Sequence, residues 1–97
     1  MQHALIVEDL PQIRDWLVEV ARAAFPDIQV TVAARVDQAL ARVAERTFDL
    51  ALIDLGLPDG TGIDVVGALR HHQPKALPVV VTIFDDDDHL FPALQAG

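Results

Sequence analysis

Cysteine is absent from the 97-residue chain, so the sequence offers neither disulfide bonds nor thiol chemistry. This absence favours a reducing compartment, and we expect a cytoplasmic protein. No basic region precedes the first apolar run, Ala4 to Val7, which argues against a secretory signal peptide. No apolar run approaches the roughly 20 residues that a membrane-spanning helix requires, so we expect no membrane partner.

Basic residues are scarce as well, with 7 Lys and Arg against 15 Asp and Glu and a formal net charge of −8. Contacts with nucleic-acid phosphates need clustered Lys and Arg, so we expect no direct nucleic-acid binding by this segment. Acidity by itself serves to keep a hydrophobic domain in solution. Hydrophobic residues make up 52% of the chain, which excludes disorder and predicts one domain with a buried sheet.

Four apolar runs predict β-strands. They lie at residues 3–7, 28–33, 48–54 and 78–83. Stretches with helical spacing of apolar residues separate them, and strands that alternate with helices indicate βαβ units. Such units build a parallel sheet with right-handed crossovers, so the sequence predicts a doubly wound α/β fold.

Local signals place the helices between these strands. Pro11 suits the first turn of the first helix, where a missing N–H costs nothing. Apolar residues of that helix recur on one face, at Ile13, Trp16, Leu17, Val20, Ala21 and Ala24. We interpret Trp16 as part of the core. Asp37 and Thr61 are predicted to cap the second and third helices, and a last helix is expected after the acidic run 85–88.

Polar residues stand at the carboxyl ends of three predicted strands. Glu8 and Asp9 follow the first strand, Asp54 closes the third, and Thr82 lies near the end of the fourth. In a parallel sheet, ligands bind beyond the carboxyl ends of the strands, where the strand order reverses. Three carboxylates at one edge repel one another unless a cation joins them, so the pattern predicts a binding site.

This set of side chains suits the transfer of a phosphoryl group to a carboxylate. Asp54, on a rigid strand end, can attack an electrophilic phosphorus atom and form an aspartyl phosphate. Mg2+ prefers one or two carboxylates, a backbone carbonyl, waters and phosphate oxygens, so we expect Asp9 and Asp54 to bind it directly. Glu8 would act through water, and Gly56 through its backbone carbonyl. The Thr82 hydroxyl would donate a hydrogen bond to the same phosphoryl group.

Each of these residues also has a structural interpretation when it is taken alone. Asp9 suits the start of a helix, because carboxylates stabilise helix N-termini. Asp54 could begin an ordinary turn, and Thr82 could be an ordinary β-branched strand residue. The acidic run 85–88 is interpreted as the solvated N-terminus of a helix rather than a second metal site. Only the joint position at the strand ends favours the functional interpretation.

With these residues in this order, the chain resembles the receiver domain of bacterial two-component response regulators. The resemblance is carried by Glu8-Asp9, by Asp54 with Leu57-Pro58 and Gly62 downstream, and by Thr82. It implies a flavodoxin-like doubly wound sheet of strand order 2-1-3-4, and phosphorylation of Asp54 by a sensor histidine kinase with Mg2+. It also implies a phosphoacceptor rather than an enzyme. Residues 84–97 are similar to receivers that carry a helix-turn-helix output domain, which implies control of transcription through a domain that this chain lacks.

The chain departs from the family pattern near its end. The family has a lysine after a fifth strand, whereas the single lysine here, Lys75, precedes the fourth strand and should lie at the opposite pole of the sheet. Residue 97 falls where the family enters that fifth strand, so we expect a receiver domain, residues 1–97, without the fifth strand and fifth helix. Val79 to Val81 would then form an exposed apolar edge, which predicts a homodimer through this strand.

Two other function classes also involve carboxylate or phosphate chemistry, and the sequence lacks a required residue or motif of each. An aspartyl-phosphate hydrolase of the haloacid-dehalogenase type needs a second Asp two residues after the nucleophile, where this chain has Gly56. The phosphate loop GxxxxGK(S/T) of nucleotide hydrolases is absent. A phosphorylation-independent interaction module, unable to signal without the family lysine, stays open as the alternative.

Overall fold

The structure, a computed structural model, describes residues 1–81. Its elements are β1 (His3–Val7), α1 (Pro11–Ala24), β2 (Gln29–Ala33), α2 (Val36–Glu45), β3 (Leu50–Asp54), β4 (Gly56–Leu57), β5 (Gly60–Thr61), α3 (Gly62–His72) and β6 (Leu77–Val81). The predictions for Thr82, for the acidic run 85–88, for the last helix and for the lack of a fifth strand lie outside the described residues.

The main sheet has four parallel strands in the order β2-β1-β3-β6. With β6 as the fourth long strand, this confirms the predicted strand order 2-1-3-4 and the flavodoxin-like α/β class. In register, Val7 of β1 lies beside Ile53 of β3, so the residues that follow β1 meet the end of β3. The strand order reverses at β1 and β3, and this reversal opens a ligand-binding crevice at their carboxyl ends.

Two apolar clusters lie on opposite faces of the sheet. The cluster under α2 and α3 includes Leu5, Val7, Ala51, Ile53, Ala39, Val43, Val65 and Leu69. The cluster under α1 includes Ala4, Ile6, Leu50, Leu52, Leu17 and Ala21. Because alternate residues of β1 and β3 pack in opposite clusters, both strands are buried on both faces. They therefore hold the residues at their carboxyl ends rigidly.

The prediction that Trp16 belongs to the core is wrong. Its side chain is 55% exposed, and Val20, one turn further along α1, is 42% exposed. The helix contacts the sheet through Leu17 and Ala21 instead. A helix on a sheet buries only the row of i, i+4 residues that faces the strands, and α1 carries an apolar stripe wider than this row.

The predicted caps of the two later helices have different outcomes. Thr61 caps α3 as predicted, since its hydroxyl accepts a hydrogen bond from the Ile63 N–H at 3.2 Å. Asp37 does not cap α2, because the helix already begins at Val36 and Asp37 lies inside its first turn. The cap of α2 comes from Asp59, whose carboxylate accepts the N–H groups of the first two helical residues.

Candidate functional site

Three carboxylates meet at the carboxyl edge of the central strands. Glu8 and Asp9 follow β1, and Asp54 is the last residue of β3. One carboxylate oxygen from each of the three residues lies within 4.8 Å of the other two. The structure thus brings together all three acidic residues that the sequence singled out.

The backbone around Glu8 turns its side chain into the protein, where it is only 1% exposed. The Leu10 N–H donates a hydrogen bond to its carboxylate at 3.1 Å. The Glu8 N–H donates to the carbonyl of Ala33 at 3.0 Å, and Arg14 donates to the Glu8 carbonyl at 3.3 Å. These bonds fix Glu8 on the edge of the sheet beside Asp54, which is 9% exposed.

Burial makes the ionised forms of Glu8 and Asp54 costly. For Glu8, burial and then the charge of Asp54 raise the pKa to about 7, although the Leu10 N–H acts in the opposite direction. Burial also raises the pKa of Asp54, and the N–H of Gly56 opposes that change. The charge of Asp9 also acts to raise the pKa of Asp54, so the neighbouring carboxylates add to the cost that burial imposes.

Within residues 1–81, the one hydrogen bond from a basic side chain to the three acidic residues runs from Arg14 to the Glu8 backbone carbonyl, not to a carboxylate. None of the ion pairs within residues 1–81 includes Glu8, Asp9 or Asp54. Hard oxygen donors that lie close together and form no ion pair with a basic side chain are surroundings that suit a small divalent cation. The donor set therefore fits Mg2+, whose charge would offset the repulsion between the carboxylates.

A short hairpin follows Asp54 directly. Its strands β4 and β5 pair Gly56 with Thr61 and Leu57 with Gly60, where the sequence predicted only a turn. At its base, the Gly56 N–H donates to the Asp54 carboxylate at 3.3 Å. The hairpin thus places the backbone N–H of Gly56 next to the Asp54 carboxylate.

Gly62 closes the base of this hairpin against β3. Its N–H donates to the carbonyl of Leu55 at 3.0 Å. A Cβ atom on Gly62 would collide with the carbonyl oxygen of Asp54 and lie 2.8 Å from Cγ2 of Ile53. Only glycine permits this approach, which holds the peptide after Asp54 in place.

Sequence reasoning missed Asp59, the residue that ties the hairpin to α2. The sequence does contain a signal for this role of Asp59. The residue before α2 is Arg35, and an arginine side chain cannot accept a hydrogen bond from the N–H groups at the helix N-terminus. The free N–H groups of α2 therefore needed an acceptor from elsewhere in the chain. Asp59, in the turn Pro58-Asp59-Gly60 after β3, supplies this acceptor.

Among the described residues, Lys75 lies away from the cluster. Lys75 is exposed and precedes β6, which begins beside Leu50, so this lysine lies at the pole opposite Asp54 as predicted. Thr82 lies outside the described residues. Within residues 1–81, no helix is both long enough and apolar enough to cross a membrane.

Comparison with known proteins identifies relatives along nearly the whole chain. The response regulator protein PilR of Pseudomonas aeruginosa is 35% identical over 96 residues, which are 99% of this chain and 21% of PilR. The KDP operon transcriptional regulatory protein KdpE of Escherichia coli is 37% identical over 98 residues, which are 100% of this chain and 42% of KdpE. The chain therefore spans less than half the length of either relative.

Solved structures share the fold. The response regulator TrrA of Thermotoga maritima, in complex with Mg2+-BeF, superposes with a TM-score of 0.76 at 26% identity, covering 88% of this chain and 72% of that one. The sequence itself matches the response regulator receiver domain over residues 4–97. With its parallel sheet and its carboxylates at the ends of β1 and β3, the chain belongs to the family of response regulator receiver domains.

Proposed function

We propose that this receiver domain accepts a phosphoryl group on Asp54 from a sensor histidine kinase, with Mg2+, and acts as a phosphoacceptor rather than as an enzyme with a separate substrate. The convergence of Glu8, Asp9 and Asp54 within 4.8 Å at the carboxyl edge carries this proposal. Membership of the receiver family supports it.

Mg2+ would be held by Asp9 and Asp54 directly, by Glu8 through water, and by the backbone carbonyl of Gly56. Support comes from the donor set, which consists of hard oxygens, and from the structural relative TrrA, which was solved in complex with Mg2+-BeF. When bound, the ion supplies positive charge that neutralises the oxygens of a transferring phosphoryl group.

The residues of this chain position and shield the reaction. A carboxylate oxygen of Asp54 forms the new bond to phosphorus while the bond from phosphorus to the kinase histidine breaks, and the released imidazole takes a proton from solvent. The Gly56 N–H donates a hydrogen bond to the Asp54 carboxylate and so restricts its orientation. The low exposure of Asp54 limits attack by water on the acyl phosphate. Thr82 would donate a hydrogen bond to the phosphoryl group and transmit its arrival to an output surface.

Control of transcription through a DNA-binding domain outside this chain is the proposed output. Two of the similar proteins, KdpE of Escherichia coli and the activator DevR/DosR of Mycobacterium tuberculosis, are transcriptional regulators and are longer than this chain. The acidic receiver itself would not contact DNA, since its net charge is −8.

The test of phosphate acceptance is intact mass after incubation with a small phosphodonor, with and without Mg2+. We expect a gain of one phosphoryl group that requires Mg2+ and is lost in Asp54→Asn. The matched control is Asp49→Asn, which replaces the Asp at the other end of β3 and should keep the gain. No gain in the parent chain would refute phosphate acceptance and favour the phosphorylation-independent module.

Homodimerisation through β6 is a second proposed property. Among the described strands, β6 pairs only with β3, so its other edge is open within residues 1–81, and Val79 and Val80 are 38% and 48% exposed. Light scattering over a range of concentrations should show association that Val80→Lys weakens. A clean monomer at high concentration would contradict the dimer.

A further inference from the structure

We propose that Asp59 is a positioning residue of the site, because it ties the hairpin that follows Asp54 to the N-terminus of α2. This inference rests on the proposed function, since the hairpin matters through the backbone groups that it offers beside Asp54. Asp59 itself does not touch the acidic cluster, and it would act through the hairpin.

The contacts of Asp59 are those of a two-pronged helix cap. One carboxylate oxygen accepts the Val36 N–H at 2.7 Å, and the other accepts the Asp37 N–H at 3.0 Å. Arg35 lies 3.8 Å from the same carboxylate. These donors, the Asp37 N–H first, lower the pKa of Asp59, so the carboxylate is charged at neutral pH and held at the positive end of the helix.

The hairpin is fixed at its tip as firmly as at its base. Leu57 is 8% exposed and packs in the same cluster as Val36. Gly60 has a backbone φ of +155°, which residues other than glycine rarely adopt. A Cβ atom at this position would lie 3.5 Å from Cγ2 of Val36. The tip therefore rests on α2 through one apolar side chain and one carboxylate.

Such an anchor is needed because the hairpin cannot hold its own shape. Its two strands contain two residues each. An isolated two-stranded hairpin is marginally stable at best, even when it is longer than this one. Without Asp59, the hairpin would keep the packing of Leu57 and the Gly62 bond at its base, but it would lose both hydrogen bonds to α2, so Gly56 would be held less precisely. Displacements of about 1 Å at a reacting group can cost about a hundredfold in rate.

A simpler role for Asp59 would be to stabilise α2 and nothing else. The two roles separate if α2 is given a cap of its own. Arg35 occupies the N-cap position with φ −145° and ψ 161°, the extended conformation that a capping residue requires. Arg35→Ser in the Asp59→Asn background should therefore restore a local cap without tying the hairpin back to the helix.

The experiment measures Mg2+ affinity by titration calorimetry and thermal unfolding in parallel. For Asp59→Asn we expect Mg2+ to bind roughly tenfold more weakly, as when a residue that orients a ligand is lost. In the double variant Arg35→Ser/Asp59→Asn, the melting temperature should recover and the Mg2+ affinity should stay low. The rate of phosphorylation by a small phosphodonor should fall in both variants.

Two control variants isolate the contacts of Asp59 from its charge. Asp49→Asn removes a carboxylate that likewise accepts two backbone N–H groups, but at the opposite pole, so it should lower stability and leave Mg2+ affinity unchanged. Asp64→Asn removes a charge beside the hairpin, where its carboxylate lies 3.9 Å from the Cβ position of Gly60. It should change Mg2+ affinity far less than Asp59→Asn does.

Three outcomes would overturn the inference. Mg2+ affinity could be the same in Asp59→Asn as in the parent, or it could recover together with stability in the double variant, or Asp64→Asn could weaken Mg2+ as much. A parent chain that binds Mg2+ and gains a phosphoryl group would still keep the proposed function in each of these cases. A parent that does neither refutes the proposed function as well.

Discussion

Two aspartates bracket β3, and their surroundings are opposite. Asp49 precedes the strand and accepts the N–H groups of Gln2 at 2.7 Å and His3 at 3.0 Å, bonds that lower its pKa. Asp54 closes the strand among other carboxylates, where burial raises its pKa. The first carboxylate is stabilised by the fold and holds β1 beside β3. The second is destabilised by its burial, a condition that is common among groups at functional sites.

The largest effect is expected from moving the backbone beneath Asp54. Gly62→Ala forces a methyl group against the Asp54 carbonyl and should cost roughly 3 kcal/mol of unfolding free energy or more. Gly67→Ala is the matched control, because Gly67 lies within α3 and nothing stands within 4 Å of its Cβ position. That control should stabilise the chain by about 1 kcal/mol. Denaturant unfolding measures both, and equal values would show that the approach of Gly62 is not tight.

A smaller effect should appear as a pH dependence at the acidic edge. The pKa of Glu8 is raised in the folded chain to about 7 from 4.5, so its contribution to stability is full below pH 4.5 and is lost as the pH rises through 7. The loss is about 3 kcal/mol at most, since one pKa unit corresponds to roughly 1.4 kcal/mol.

Thermal unfolding between pH 4.5 and 8 without divalent cations measures this loss. Glu8→Gln should remove most of the dependence, and Mg2+ should restore stability to the parent at pH 8 but not to Asp54→Asn. If the melting temperature of the parent did not change with pH, the pKa of Glu8 would not be raised by its burial in the folded chain.

The smallest effect is expected at the opposite pole and with the opposite sign. The folded-state pKa of Asp49 is depressed, so its stabilisation is present above the unfolded value of 3.8 and disappears as the pH falls through the folded value. Asp49→Asn should therefore melt at a lower temperature than the parent at pH 7, and the difference should vanish in strong acid. A difference that persists at low pH would indicate a steric rather than an electrostatic role.

The sequence predicts the parts of this molecule that depend on short-range patterns. Apolar runs predict β1 and β3. The acidic residues at the ends of these strands predict the cluster, because parallel strands bring their carboxyl ends to one edge of the sheet. The cap by Thr61 follows from local chemistry in the same way. These predictions hold because they need only the pattern within one element and the general rule that parallel strands end at the same edge of a sheet.

The misses depend on contacts between distant residues. The apolar stripe of α1 shows which residues can be buried, but only the docked sheet determines that Leu17 is buried and Trp16 is not. The acceptor for the N-terminus of α2 comes from Asp59, on a hairpin that the sequence presented as a turn. Neither outcome can be predicted from the spacing of residues along a single helix or strand.

The hydrogen bond from the Val36 N–H to Asp59 also bears on the order in which the elements fold. It spans 23 positions, and both α2 and the turn after β3 must exist before it can form. Contacts of this kind are made late, because their loop-closure entropy is repaid only once the sheet is assembled. Asp59→Asn should then speed unfolding and leave the folding rate nearly unchanged, with a φ-value near zero. Among the elements of residues 1–81, the hairpin beside Asp54 would then form late and open early.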